Sequence, residues 1–69
     1  MATQEPRRFI RVKEVLDITS LSNSELYRRI KAGTFPAQVR LAPGHVVWIE
    51  SEVNAWCAAR IAECRGEAA

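Results

Sequence analysis

The stretch that most limits what this chain can fold into is Ser22 to Phe35, SNSELYRRIKAGTF, because both ends of a helix are written into it. Ser22 is a strong N-cap, since its hydroxyl can accept from an otherwise unpaired backbone N–H of the first turn. Glu25, three residues on, can reach back to the cap's own N–H and complete a capping box. Gly33 can take the left-handed conformation that ends a helix, and Pro36 disfavours helical geometry at Phe35. The spacing therefore predicts a helix over residues 22–32, about three turns and roughly 15 Å long at 1.5 Å per residue.

The faces of this helix are as informative as its ends. At about 100° per residue, Leu26 and Ile30 share one side with Gly33 beneath them. Ser24, Arg28 and Lys31 fall opposite, with Asn23 and Tyr27 on one flank and Arg29 on the other. Short polar groups thus sit near the helix N-terminus and cations further along. A helix that enters the major groove of DNA needs that order: side chains that hydrogen-bond base edges, then guanidinium or ammonium groups that meet guanine or phosphate. A solvated amphipathic helix carries similar residues, so the neighbouring segments decide.

Upstream, Val12, Val15, Leu16 and Thr19 repeat at i, i+3, i+4 and i+7, which predicts a helix of about two turns. Thr19-Ser20-Leu21-Ser22 supplies the connection, with Leu21 placed to pack into the angle. A short helix, a short turn and a capped second helix meet the spacing of a helix-turn-helix. Downstream, residues 38–49 read as a hairpin: Gln38 to Leu41, a loop Ala42-Pro43-Gly44-His45, then Val46 to Ile49. With that loop, Leu41 opposes Val46 and Val39 opposes Trp48, so these four share a face that covers the helices, while Arg40 lies on the other face beside Val47. A two-stranded wing of this kind must pack on the helical core to be stable. Ser51 is placed to open a last helix, with Val53, Trp56, Cys57 and Cys64 on one side, Ile61 bordering them and Gly66 past the end. The expected fold is mostly α with a small β-hairpin, a winged helix-turn-helix over residues 9–66. Residues 1–8 form a basic arm ending in Arg7 and Arg8, Phe9-Ile10 a short extended segment, and residues 67–69 a tail.

With 69 residues there is one domain and a small core; such a chain buries only about 60% of its extended surface. No apolar run approaches the ~20 residues of a membrane span and no signal-peptide pattern begins the chain, so a cytoplasmic protein without a membrane partner is expected. The net charge is only +2, but residues 1–48 hold eight Lys or Arg against four acids and residues 49–69 hold two against four. That asymmetry suits a small nucleic-acid binder whose acidic half faces away. Cys57 and Cys64 lie seven apart on one helix, about 10 Å along its axis and too far for a mutual bridge. His45 is the only histidine, so zinc spacing is absent and no cofactor is expected. One His, one Asp and no phosphate-cradling glycine loop leave no nucleophile, base and orienter to assign, so an enzyme is not expected.

The ordered set Arg11-Val12-Lys13-Glu14-Val15, Leu21-Ser22, Leu26-Tyr27-Arg28, Ile30-Lys31-Ala32-Gly33, Phe35-Pro36, Trp48 and Ser51-Glu52-Val53 with Trp56 resembles the AlpA-type phage and prophage regulators, small MerR-like winged-helix proteins related to phage excisionases. The resemblance runs from about Ile10 to Arg60. It implies a sequence-specific DNA binder that regulates transcription, assists excision, or both, with the Ser22-to-Lys31 helix in the major groove and the hairpin along the adjacent backbone. The chain departs from the family pattern at Ser20, where Gly is common, at Asn23 and Glu25, and at Gly44 and Val47 of the wing.

The expected partner is double-stranded DNA, with further copies of the chain or a recombinase beside it, in a nucleoid-associated state. Asn23, Ser24 and Arg28 are the candidates for base edges, Tyr27 for backbone or a thymine methyl, and Ser22 caps the helix that carries them. Lys31, Arg40, Arg7 and Arg8 are the candidates for phosphates. Two alternatives compete: a protein-interaction module that docks a recombinase or polymerase, and a domain that recognises viral DNA during packaging.

Overall fold

A computed structural model of the chain describes residues 8–66. Arg7, the outer half of the expected arm's basic pair, lies outside the described residues. The elements follow in the order β1 (Phe9–Ile10), α1 (Val12–Thr19), α2 (Asn23–Ala32), β2 (Val39–Ala42), β3 (His45–Ile49) and α3 (Glu50–Arg65). This is a winged helix-turn-helix, three helices with a small antiparallel sheet.

The turn between α1 and α2 is stitched by side chains. The Thr19 hydroxyl donates to the Val15 carbonyl at 2.8 Å and accepts from the Leu21 N–H at 3.3 Å. Ser20 closes α1 in the left-handed region, φ 62°, with its N–H on the Leu16 carbonyl at 2.7 Å. A Cβ in that region crowds the following carbonyl, which is why glycine is the usual residue there. Ser20 is the only non-glycine residue with positive φ among those described.

The sheet differs from the expected two-stranded wing. It has three strands in the order β1-β3-β2, all antiparallel, and β1 pairs Phe9 with Ile49 and Ile10 with Trp48. The hairpin register is also corrected: Val39 pairs with Val47, Arg40 with Val46 and Ala42 with His45, with an irregularity between Arg40 and Ala42. The loop is therefore two residues, Pro43-Gly44, not four, with Gly44 at φ 76°. Proline cannot take positive φ, so a primed turn is unavailable, and Pro-Gly follows the type II pattern, whose twist mismatches the flanking strands. An extra residue in one strand absorbs such a mismatch. Leu41 is that residue, and it is half exposed rather than covering the helices. Arg40 moves with the register onto the face of the sheet shared by Val46 and Trp48, while Val47 on the opposite face is itself buried.

The core is a single cluster of Ile10, Val15, Leu26, Phe35, Trp48 and Val53, with Val12, Leu16, Leu21, Ile30, Val46 and Trp56 packed around it. The start of α3 is a second correction. Ile49 is the N-cap and makes no side-chain cap, so Ser51 lies inside the helix. The Arg8 carbonyl instead accepts the Glu50 N–H at 2.9 Å, which lets the segment before β1 hold the first amide of α3. The last turns of α3 run past the core: Ile61 and Cys64 are exposed, and only Cys57 of the two thiols is half-buried. Trp56 ends the packed stretch, edge-on to Phe35 with centroids 4.8 Å apart and its indole N–H on the Thr34 carbonyl at 2.8 Å.

Replacing Ser20 with Gly removes the left-handed Cβ penalty at the cost of some unfolded-chain entropy, and should stabilise the domain by about 0.5–1 kcal/mol. Urea denaturation monitored by tryptophan fluorescence reads this directly; an unchanged or lower midpoint would show that the turn carries no such strain.

Candidate nucleic-acid interface

The ends of α2 form as their sequence dictates. Ser22 Oγ accepts from the Glu25 N–H at 3.2 Å, and Glu25 Oε1 accepts from the Ser22 N–H at 3.1 Å, a complete capping box. Gly33, at φ 79°, sends its N–H back to the Ile30 carbonyl at 3.1 Å, while the Thr34 N–H reaches the Arg29 carbonyl at 2.9 Å. Leu26 is fully buried and Ile30 half-buried, which fixes the rotation of the helix about its axis. That rotation leaves Asn23, Ser24, Arg28 and Lys31 exposed on the outer side, with Ser22 exposed at the cap. With Tyr27, the structure thus brings together six of the expected contact residues on α2 and its cap.

Tyr27 ties this element to the wing. Its ring meets Trp48 edge-on, centroids 6.4 Å apart, while the side chain stays 43% exposed. Arg40 is exposed on β2. Arg29 points the other way: its guanidinium lies 5.6 Å from the centre of the Trp56 ring, on the α3 side, and Arg60 lies 5.3 Å from the same ring.

Some of the exposed cations are paired within the fold. Arg8 is 3.3 Å from Glu14 and 3.6 Å from Glu50, so its cation is matched by two carboxylates rather than offered by a loose arm. Arg60 is 2.7 Å from Glu63. Among the described residues, no salt bridge engages Arg11, Arg28, Lys31 or Arg40. Arg8 and Arg60 are thus paired with carboxylates, while Arg28, Lys31, Arg11 and Arg40, and likewise Lys13 on α1 and Arg65 on α3, remain available to an external anion. Individually such exposed pairs contribute little to stability, about 0–1 kcal/mol; their effect here is on where net positive charge is displayed.

Two residues join the site that residue-by-residue sequence reasoning did not select. Arg11 Nη2 lies 3.1 Å from His45 Nε2, linking the start of α1 to the wing turn. Together with Val12, Tyr27, Val46 and Trp48 they line a groove of about 530 Å³ between wing and α2, and Gly44 completes its rim. The contact joins positions 34 apart in sequence, so no local pattern announces it. Among the described residues, no three His, Cys, Asp or Glu side chains gather as a metal would require, and no helix is long and apolar enough to cross a membrane.

A capped outward helix braced by a wing defines a small winged-helix protein whose displayed face is polar and cationic. Residues 8–61 match the family described as prophage CP4-57 regulatory protein (AlpA), and the chain belongs to this family of phage regulatory proteins. It is also 52% identical over 60 residues to an uncharacterised protein, ORF88, of Enterobacteria phage P4, across 87% of this chain and 66% of that protein's length. No solved structure matches.

The capping box makes a pH-dependent contribution. The Ser22 backbone N–H that Glu25 accepts, above all, holds the carboxyl below its ordinary 4.5, with the Ser22 hydroxyl and the cations of Arg28 and Arg29 adding to it. A depressed carboxyl stabilises the fold above its unfolded value and loses that contribution as pH falls through its folded value. Glu25→Gln, which keeps a capping partner without the charge, should therefore be less stable than the parent near pH 6 and converge on it as pH falls through the carboxyl's lowered folded value. Thermal unfolding across that range checks it, and Ser22→Ala should cost about 1 kcal/mol.

Proposed function

We propose that this chain is a double-stranded DNA-binding regulator that lays α2 in the major groove and β2–β3 along the flanking backbone. The observation that carries the reading is the outward face of α2, where Asn23, Ser24, Arg28 and Lys31 are exposed on a helix locked at both ends and braced by Tyr27 against Trp48. Asn23, Ser24 and Arg28 match the donor and acceptor edges of bases, and arginine to guanine is the commonest specific pairing. Lys31 and Arg40 suit phosphates, which position a protein without reading sequence. Membership of a phage regulatory family supports this reading at the level of biological role.

One domain of this size reads few base pairs. Useful selectivity then calls for several copies on repeated sites, or for a bend in the DNA shared with a partner such as a recombinase. Both transcriptional control and assistance of excision follow from such an assembly.

The test is fluorescence anisotropy with duplexes tiled across the DNA around the protein's own coding region. With roughly four to six phosphates neutralised, log K against log salt should slope near −4 to −5. Arg28→Ala should cost about 1–3 kcal/mol on the preferred duplex and flatten its preference over others. A flat salt response, or an Arg28→Ala variant that binds as the parent does, would redirect the cationic face toward an acidic protein partner.

A further inference from the structure

The groove between the wing and α2 has the construction of an anion seat. Arg11 is the N-cap residue of α1 yet makes no side-chain cap, and its guanidinium crosses to His45 instead. A guanidinium only donates, so the imidazole Nε2 accepts and is unprotonated in this contact. One of the five N–H groups is thereby used, and the side chain is held on an exposed surface with the others available. Val12 of the first turn of α1 lines the same groove, while Glu14 of that turn pairs with Arg8 at 3.3 Å. No Asp or Glu lines the groove. Tyr27 forms part of its lining, next in sequence to Arg28, and Gly44 brings the wing turn to it without a side chain.

Resting on the DNA-binding reading above, we propose that this groove seats one backbone phosphate of the strand that passes from α2 to the wing. Arg11 makes the phosphate contact, and His45 is a positioning residue that fixes the guanidinium across the groove. The contact sets the depth and register at which Asn23, Ser24 and Arg28 meet the bases. It carries no sequence preference of its own, because phosphates are the same at every step.

The test compares Arg11→Ala, Arg11→Gln, His45→Ala, His45→Gln and Arg28→Ala by anisotropy on the preferred duplex and on a scrambled duplex of equal length, each across a salt series. Arg11→Ala should weaken both duplexes by the same factor, about tenfold for a lost charge-assisted contact, and reduce the steepness of the salt slope by about one. His45→Ala should weaken both in the same uniform way by a smaller factor. His45→Gln, whose amide oxygen can accept from the guanidinium, should recover most of that loss, which a purely space-filling role would not predict. Arg28→Ala instead changes the ratio between duplexes. Thermal unfolding should give the Arg11 and Arg28 variants the parent midpoint, since both side chains are exposed. His45 is half-buried, so its two variants are compared at a temperature where both are folded. If Arg11→Ala unfolds, the salt slope of Arg11→Gln, which keeps most of the aliphatic stem, decides.

An Arg11 variant that binds both duplexes as the parent does, with an unchanged slope, overturns the phosphate seat alone. So does a loss confined to the preferred duplex, which would make Arg11 a base contact. Failure of His45→Gln to recover binding overturns the positioning role. If the parent protein binds neither duplex, the DNA-binding reading fails first and the seat falls with it.

Discussion

The fold depends on one cluster in which nearly every segment contributes one buried side chain. Ile10 comes from β1, Val15 from α1, Leu26 from α2, Phe35 from the connection after it, Trp48 from β3 and Val53 from α3. With so few members, no pair of elements forms a core of its own, and each holds its place only because the other five hold theirs. The displayed face of α2 is therefore set by the whole cluster, acting through Leu26 and the half-buried Ile30. Trp48 is the largest of the fully buried side chains, and it is also the one that meets Tyr27, so the wing and the helix face are aligned by the same contact that closes the core.

Much of this was legible in the sequence because it is local. Ser22 with Glu25 and Gly33 with Pro36 act within a turn or two of themselves, and a capping box or a left-handed stop forms with little reference to the rest of the chain. The periodicity of Val12, Val15 and Leu16 likewise reports a face, and the face proved to be the buried one. The hairpin was legible as a hairpin but not in register. Alternation alone makes Val39 oppose Trp48, yet the twist demanded by Pro43-Gly44 ejects Leu41 and shifts the pairing, and no side-chain pattern records that demand. The start of α3 escaped for a related reason: its first amide is satisfied by the Arg8 carbonyl, a backbone partner supplied from the other end of the fold.

The same distinction explains how the charges sort. A cation read in sequence is counted at face value, but Arg8, Arg29 and Arg60 are each engaged by groups distant in sequence or on another turn: carboxylates for Arg8 and Arg60, and the Trp56 ring for Arg29 and Arg60. These engagements are weak one by one, since the ion pairs are solvent-exposed and the stacked cations only half-buried. Their placement is what matters. They engage Arg8, Arg29 and Arg60, while Arg28, Lys31, Arg11 and Arg40 make no salt bridge among the described residues.

A cationic face does not by itself read sequence, because any polyanion satisfies it. Discrimination requires that short donors and acceptors reach base edges in a fixed register, and register is a property of the frame that holds the helix against the backbone. In this fold the frame is wide for so small a domain: α2 through Tyr27, the wing through His45, Val46 and Trp48, and the start of α1 through Arg11 and Val12 converge on one groove. Three elements meeting at one point hold their relative positions better than any one of them alone, which is how a core of six buried side chains fixes the outer face of α2 against the wing.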